Sequence, residues 1–249
     1  MSDLTEYAKV LRWYVPSSGV TGLRTTITLP GTDSNGFSSQ IGGSNGSGFI
    51  NFYLAGDAGK VTLPDGRIVT GHYECGLSQS FAEALKKDKR WHWFYTEGYI
   101  GDDGGEYALS PGTTWPIELS ISNSNLLVYK VNGVVTKQFT TGPYTSLSNA
   151  RLVVAACDKV YPSEQAVPTP LDNWNTLHNQ VTCANIQYRN TSGNWITCTP
   201  SNSTPPTSFG TGKASDELHW PKGKTHVGTP KSYIMQISNG QLIASLKRF

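Results

Sequence analysis

The chain has 249 residues, with Lys plus Arg 20 against Asp plus Glu 18, a net charge of +2 and charged residues at only 15%. No basic excess points to nucleic acid, no acidic tail is present, and the longest uncharged apolar runs are far too short to cross a bilayer as helices. Gly 26 and Pro 14 make the chain turn-rich, though short of low complexity. The expectation is a soluble, compact, β-rich protein.

The strand-like runs begin with VLRWYVP (10–16), LRTTITLP (23–30), GFINFYLAG (48–56), GKVTLP (59–64) and RIVTGHYECGLSQSF (67–81). SFAEALKKDK (80–89) is the one helix candidate, with Ser80 and Glu83 at capping-box spacing. RWHWFYTEGYI (90–100) and WPIELSISN (115–123) follow, and NLLVYKVNG (125–133) then meets VVTKQFTT (134–141) across Asn132-Gly133. That dipeptide favours the tight turn of a two-residue hairpin. RLVVAAC (151–157), QVTCANIQYR (180–189), WITCTP (195–200) and SYIMQISNGQLIASL (232–246) complete the series. A dozen short strands and one short helix predict an all-β antiparallel sandwich. The stretches at 158–179 and 201–230 read as long loops on a single domain covering 1–249.

Alternation within each strand assigns faces. Ile68, Thr70, His72 and Glu74 share one face of their strand, and Trp91, Trp93, Tyr95 and Glu97 share one face of theirs. Three rings beside a carboxylate suit a sugar-stacking or peptide-binding platform; the alternative is a strand buried on both faces, with the rings in the core. A glycoside hydrolase needs two carboxylates roughly 5 Å apart for retention or roughly 6.5–9.5 Å apart for inversion, and Glu74 with Glu97 is the pair to test. Asp102, Asp103 and Glu106, in a Gly-rich run, offer oxygen ligands to Ca²⁺ or form a simple turn. The five histidines show no zinc-protease spacing, and no GxSxG marks a serine hydrolase, so no resident metal or cofactor is expected beyond that Ca²⁺ option.

Cys75, Cys157, Cys183 and Cys198 form no CxxC pair. Folding the run from Cys183 to Cys198 about Asn190-Thr191-Ser192-Gly193 brings its two cysteines nearly opposite each other, which predicts a cross-strand disulfide; the alternative is two buried free thiols. Met1-Ser2-Asp3 shows no basic or apolar leader. A mature secreted protein, its signal peptide absent, has this appearance.

The order of motifs resembles the glutamic peptidases (eqolisins). KVLRWYVP is similar to their Trp-x-Val-Pro first strand, and FINFYLAGDAG lies where they carry Trp-Val-Gly-Ile-Asp-Gly, with Asp57 at the Asp. GHYECGLSQSF resembles the strand with the catalytic Gln, and RWHWFYT the strand Trp-Tyr-Glu-Trp-Tyr-Pro with the catalytic Glu. NLLVYKVNGVVTKQFTT and YIMQISNGQLIASL are similar to a late hairpin and the final strand. The resemblance implies a concanavalin A-like jelly roll whose concave face carries the site. It also places Glu74 at the Gln position and Trp93 at the Glu position. That family's reaction needs a carboxylate to activate water and an amide to steady the oxyanion; an indole cannot remove a proton, and an ionised Glu74 repels an oxyanion.

The expected protein is therefore a secreted, monomeric binding protein, carbohydrate-binding in the first instance, on a glutamic-peptidase-like scaffold. Its ligand, a polysaccharide or peptide, is expected to meet Trp13, Phe52, Tyr53, Asp57, His72, Trp91, Trp93 and Tyr95. The alternative is an extracellular glycoside hydrolase or peptidase that uses Glu74 with Glu97. If the register is right, Glu74 and Trp93 lie on one concave face.

Overall fold

The computed structural model describes residues 5–41, 48–62, 65–80, 90–97, 100–102, 109–122, 126–140, 145–161, 176–206, 216–218 and 233–246. Of the helix candidate at 80–89, Ser80 ends a strand and residues 81–89 lie outside the described residues, as do the candidate calcium ligands Asp103 and Glu106. The strands are β1 (Thr5–Tyr14), β2 (Val20–Thr28), β3 (Ser39–Gln40), β4 (Phe49–Thr62), β5 (Ile68–Ser80), β6 (His92–Glu97), β7 (Ile100–Asp102) and β8 (Thr114–Ile121). They continue as β9 (Leu126–Val131), β10 (Val134–Thr140), β11 (Ser148–Tyr161), β12 (Leu177–Asn190), β13 (Trp195–Thr197), β14 (Asp216–Leu218), β15 (Tyr233–Ser238) and β16 (Gln241–Leu246).

These strands form two antiparallel sheets. One is seven-stranded, in the order β14-β1-β11-β4-β5-β6-β7; the other is nine-stranded, β10-β9-β8-β2-β12-β16-β15, with β13 and β3 also paired to β12. An early strand meets a late one in each sheet, since β1 pairs with β11 and β2 with β12. Asn132 and Gly133 both take left-handed backbone angles, φ 52° and 77°, and join β9 to β10 as the dipeptide predicts. The runs that begin at 48 and 59 join in one strand, β4 (Phe49–Thr62), with an irregularity between Asp57 and Lys60.

The core lies between the sheets. Trp13, Phe52, Leu54, Tyr73, Cys75 and Leu77 project from the seven-stranded sheet against Leu23, Ile27, Leu119, Tyr129 and Cys183 of the nine-stranded one. Phe52 stacks on Trp91 at 5.1 Å between ring centroids. The Tyr129 hydroxyl, fully buried on β9, donates to the Gly76 carbonyl on β5 at 2.9 Å, so the sheets are also joined by a hydrogen bond. Gly76 admits no side chain: a Cβ there would stand 2.2 Å from the Phe52 carbonyl oxygen and 2.4 Å from the Tyr53 Cβ. A smaller apolar group, Val10, Tyr53, Phe94, Val153, Ala155 and Cys157, covers part of the other face of the seven-stranded sheet.

The predicted Cys183–Cys198 disulfide is absent: both are buried thiols, and no disulfide joins any of the four cysteines. The reason is register. Arg189 pairs with Trp195 and Gln187 with Thr197, so the Cys198 amide bonds to the Ile186 carbonyl, three positions from Cys183. A bulge at Asn185, with φ 53°, then lets both Ile186 and Cys183 point into the core. Burial pushes both thiols up to about 12, so neither is an oxidisable thiolate in the folded chain.

Two outcomes follow from this packing. Chain unfolded without reductant should react with a thiol reagent at all four cysteines, whereas mass spectrometry of a digest showing Cys183 linked to Cys198 would contradict the register. Gly76→Ala should lower the urea midpoint, a loss of about 1–3 kcal/mol from forcing β4 and β5 apart.

Candidate functional site

The faces within each strand are as the alternation predicts, but β6 meets β5 in a register that separates the expected site. Tyr73 pairs with Glu97, Glu74 with Thr96, and Leu77 with Trp93. Directly paired residues share a face. Trp93, Tyr95 and Glu97 therefore lie on the inner side with the buried Tyr73 and Leu77, while Glu74 faces outward beside Thr96. Glu74 and Trp93 do not share a face, and Glu74 and Glu97 do not form a carboxylate pair on one surface.

The aromatic row is sandwich filling. Trp13, Phe52 and Trp91 are fully buried in the core, and Trp93 and Tyr95 are half-buried against it, their rings 6.1 Å apart at 18°. Lys137 reaches over the Tyr95 ring from β10 at 4.4 Å. Tyr53 faces outward but is packed edge-on against Phe94 at 5.8 Å. Asp102 belongs to β7, paired with Tyr95 in the ladder.

Three of the expected residues do come together. Asp57 and His72 are cross-strand partners on β4 and β5, and Glu74 follows His72 by two positions on the same face. His72 Nδ1 meets Asp57 Oδ1 at 2.5 Å, and His72 Nε2 meets Glu74 Oε1 at 3.2 Å. All three are partly exposed: His72 and Glu74 side chains are 24% accessible and Asp57 is 17%. Burial pulls the imidazole down, but the hydrogen bonds to Asp57 and then Glu74 overcome it and hold His72 up at about 9. Burial also pushes Asp57 up, yet its bonds from His72 and Asn149 leave it below the ordinary carboxylate value. Near neutral pH His72 is thus an imidazolium bonded on one side to the Asp57 carboxylate and on the other to Glu74.

Residues that the sequence did not single out complete it. Asn149 on β11 donates through Nδ2 to Asp57 Oδ2 at 2.6 Å while holding φ 48°, a left-handed conformation that Asn tolerates better than most side chains. The pairing of β11 with β4 is irregular between Ser148 and Arg151, which aims Asn149 at Asp57. Across the strands runs the row Tyr14, Arg151, Ala55, Glu74, Thr96. The methyl group of Ala55 separates the Arg151 guanidinium from the Glu74 carboxylate. Arg151 Nη1 donates to the Asn149 carbonyl at 2.8 Å, while its Nε is buried with no hydrogen-bond partner among the described residues. Glu74 has His72 as its one hydrogen-bond partner among those residues. The face thus offers a carboxylate and a guanidinium on either side of Ala55. No group of three or more His, Cys, Asp or Glu among the described residues is arranged to hold a metal ion.

No protein-family model matches the chain, and no curated protein matches its sequence. Solved structures do. Scytalido-glutamic peptidase with a peptide-based transition-state analogue superposes with a TM-score of 0.52 at 10% identity, over 98% of this chain and 100% of that one. The same peptidase with a transition-state analogue inhibitor gives 0.51 at 10% identity, over 99% and 100%. SCP-B, an eqolisin-family peptidase in complex with the tripeptide Ala-Ile-His, gives 0.49 at 9% identity, over 98% and 100%. The resemblance read from the sequence motifs is thus a shared fold.

Stability should report the two unequal histidines. His72, raised from 6.5 to about 9, stabilises the fold fully below pH 6.5, and that contribution is lost as pH climbs through 9. His178, fully buried against Phe52, is depressed by burial from 6.5 to about 4; the unfolded chain takes up that proton first, so stability falls from pH 6.5 towards 4. The urea midpoint should therefore peak near pH 6.5, with the alkaline limb worth roughly 1–3 kcal/mol. His72→Gln should flatten the alkaline limb and leave the acid limb; an unchanged alkaline limb would remove the Asp57–His72–Glu74 linkage.

Proposed function

We propose that this chain is a secreted binding protein on a concanavalin-like, glutamic-peptidase-type jelly roll, and that its ligand is a saccharide held against the face carrying Glu74. The carrying observation is that, among the described residues, Glu74 has no second carboxylate available for acid–base work on its own face. Glu97 lies on the other side of the sheet, and Asp57 is engaged by His72 and Asn149. A glycosidase needs such a partner, and the glutamic-peptidase reaction needs an amide where Glu74 stands.

Binding needs less. A sugar hydroxyl both donates and accepts, so neighbouring hydroxyls of one ring match the Glu74 carboxylate on one side of Ala55 and the Arg151 guanidinium on the other. Thr96 and Tyr14 extend the same row with further hydroxyls. Hydrogen bonding supplies the contact here, because the rings expected to stack on a sugar are in the core.

One observation favours a hydrolase as the second reading. His72 carries a proton up to about pH 9 and lies 3.2 Å from Glu74, so an imidazolium donor and a carboxylate stand side by side.

A neutral-glycan array beside a broad glycosidase and peptidase panel separates the readings. For binding, Glu74→Gln should weaken the array hit about tenfold, the size of one lost charged hydrogen bond, with no turnover in wild type or variant. For hydrolysis, wild type should turn over a substrate that Glu74→Gln leaves intact. Glycan binding unaffected by both Glu74→Gln and Arg151→Met would overturn the site.

A further inference from the structure

The outward face of the nine-stranded sheet carries a second polar arrangement, remote from Glu74. Thr197, Gln187, Arg24, Glu118 and Lys130 are successive cross-strand partners on β13, β12, β2, β8 and β9. Opposite charges set directly across a ladder ordinarily close on each other. Arg24 and Glu118 instead lean apart. Arg24 Nε donates to Gln187 Oε1 at 2.7 Å, and its guanidinium lies over the Trp195 ring at 4.3 Å. Glu118 Oε1 accepts from Ser120 Oγ at 2.7 Å and Lys130 Nζ at 3.1 Å. Between them is a hollow of about 410 Å³, which Thr26, Pro116 and Asn185 also line. Such a volume is within the usual range of small-molecule sites.

The arginine is held in a way that leaves its working end free. Stacking fixes the guanidinium plane and the Nε bond fixes its rotation, so both Nη groups are presented together with no hydrogen-bond partner among the described residues. Its neighbour Arg189 differs: Nε donates to Thr21 Oγ1 at 2.9 Å, and Nη2 donates to the carbonyls of Thr21 and Ile121. A preorganised guanidinium fork matches a carboxylate bidentately. The bulge that places Asn185 at φ 53° interrupts the β2–β12 ladder beside the hollow and brings an amide to its rim. Arg24 and Lys130 outweigh Glu118 by one positive charge, while Thr26, Asn185 and Glu118 supply partners for hydroxyls.

We propose that this hollow binds a small carboxylate-bearing, hydroxyl-rich ligand of hexuronate size, with Arg24 taking the carboxylate and Glu118 a ring hydroxyl. The site is separate from the one proposed around Glu74, on the opposite outer surface of the sandwich.

The test is titration of the full chain with D-glucuronate, D-glucose and acetate, read by calorimetry and by tryptophan fluorescence. D-glucuronate should saturate and perturb the indole emission through Trp195. D-glucose and acetate should bind at least tenfold more weakly, since each lacks one half of the recognition. Arg24→Gln should weaken D-glucuronate at least tenfold, and Arg24→Lys, which keeps the charge without the fork, should also weaken it. Glu74→Gln should leave it unchanged. The proposal is overturned if D-glucuronate does not saturate, if acetate binds equally well, if Arg24→Lys binds as wild type, or if Glu74→Gln removes the binding.

Discussion

The pairing of β5 with β6 governs the rest of the molecule's chemistry. With Tyr73 opposite Glu97 and Glu74 opposite Thr96, every odd-numbered residue of β6 lies on the inner side of the sheet and every even-numbered one on the outer side. A slip of one residue would exchange the two sets. The register is held by burial: Trp91 is stacked on Phe52, and Trp93 and Tyr95 pack on the core. Exposing that much ring surface would cost more than any ladder hydrogen bond restores.

That register makes the outward side of the seven-stranded sheet a surface of two parts. One end is apolar, from Val10 to Cys157. The other carries Asp57, His72, Glu74 and Arg151, each held by hydrogen bonds or by its place in the ladder. Asp57 is the pivot, because it accepts from both His72 and Asn149 and so ties β4, β5 and β11 together at one carboxylate. The fold is shared with scytalido-glutamic peptidase, and the polar groups on this outward face form a hydrogen-bonded line.

Much of the architecture was legible in the sequence because strands announce themselves locally. Alternation in GHYECG put His72 and Glu74 on one face, and Asn132-Gly133 marked its hairpin, because both are properties of a few adjacent residues. What one strand cannot reveal is where its neighbour lies in register. Trp91, Trp93 and Tyr95 were therefore sorted correctly among themselves but assigned to the wrong side relative to Glu74. The same gap produced the expected disulfide: the turn after Asn190 and the bulge at Asn185 place Cys198 opposite Ile186. Asn149 and Arg151 gave no signal, since their roles arise from an irregular ladder that no periodicity records.

The hydrogen bond from Tyr129 to the Gly76 carbonyl has a bearing on how a ligand would be met. It lies beneath the strand that bears Glu74, two residues along, where Gly76 lets β4 and β5 approach too closely for any side chain. The floor under Glu74 is thus fastened to the opposite sheet by a fully buried donor and cannot tilt without leaving that hydroxyl unsatisfied. A ligand on this face would encounter a preformed surface, and association would carry little conformational-entropy penalty from the protein. Selectivity among ligands would then come from how each shape fits a rigid template, and much less from adaptive closure around it.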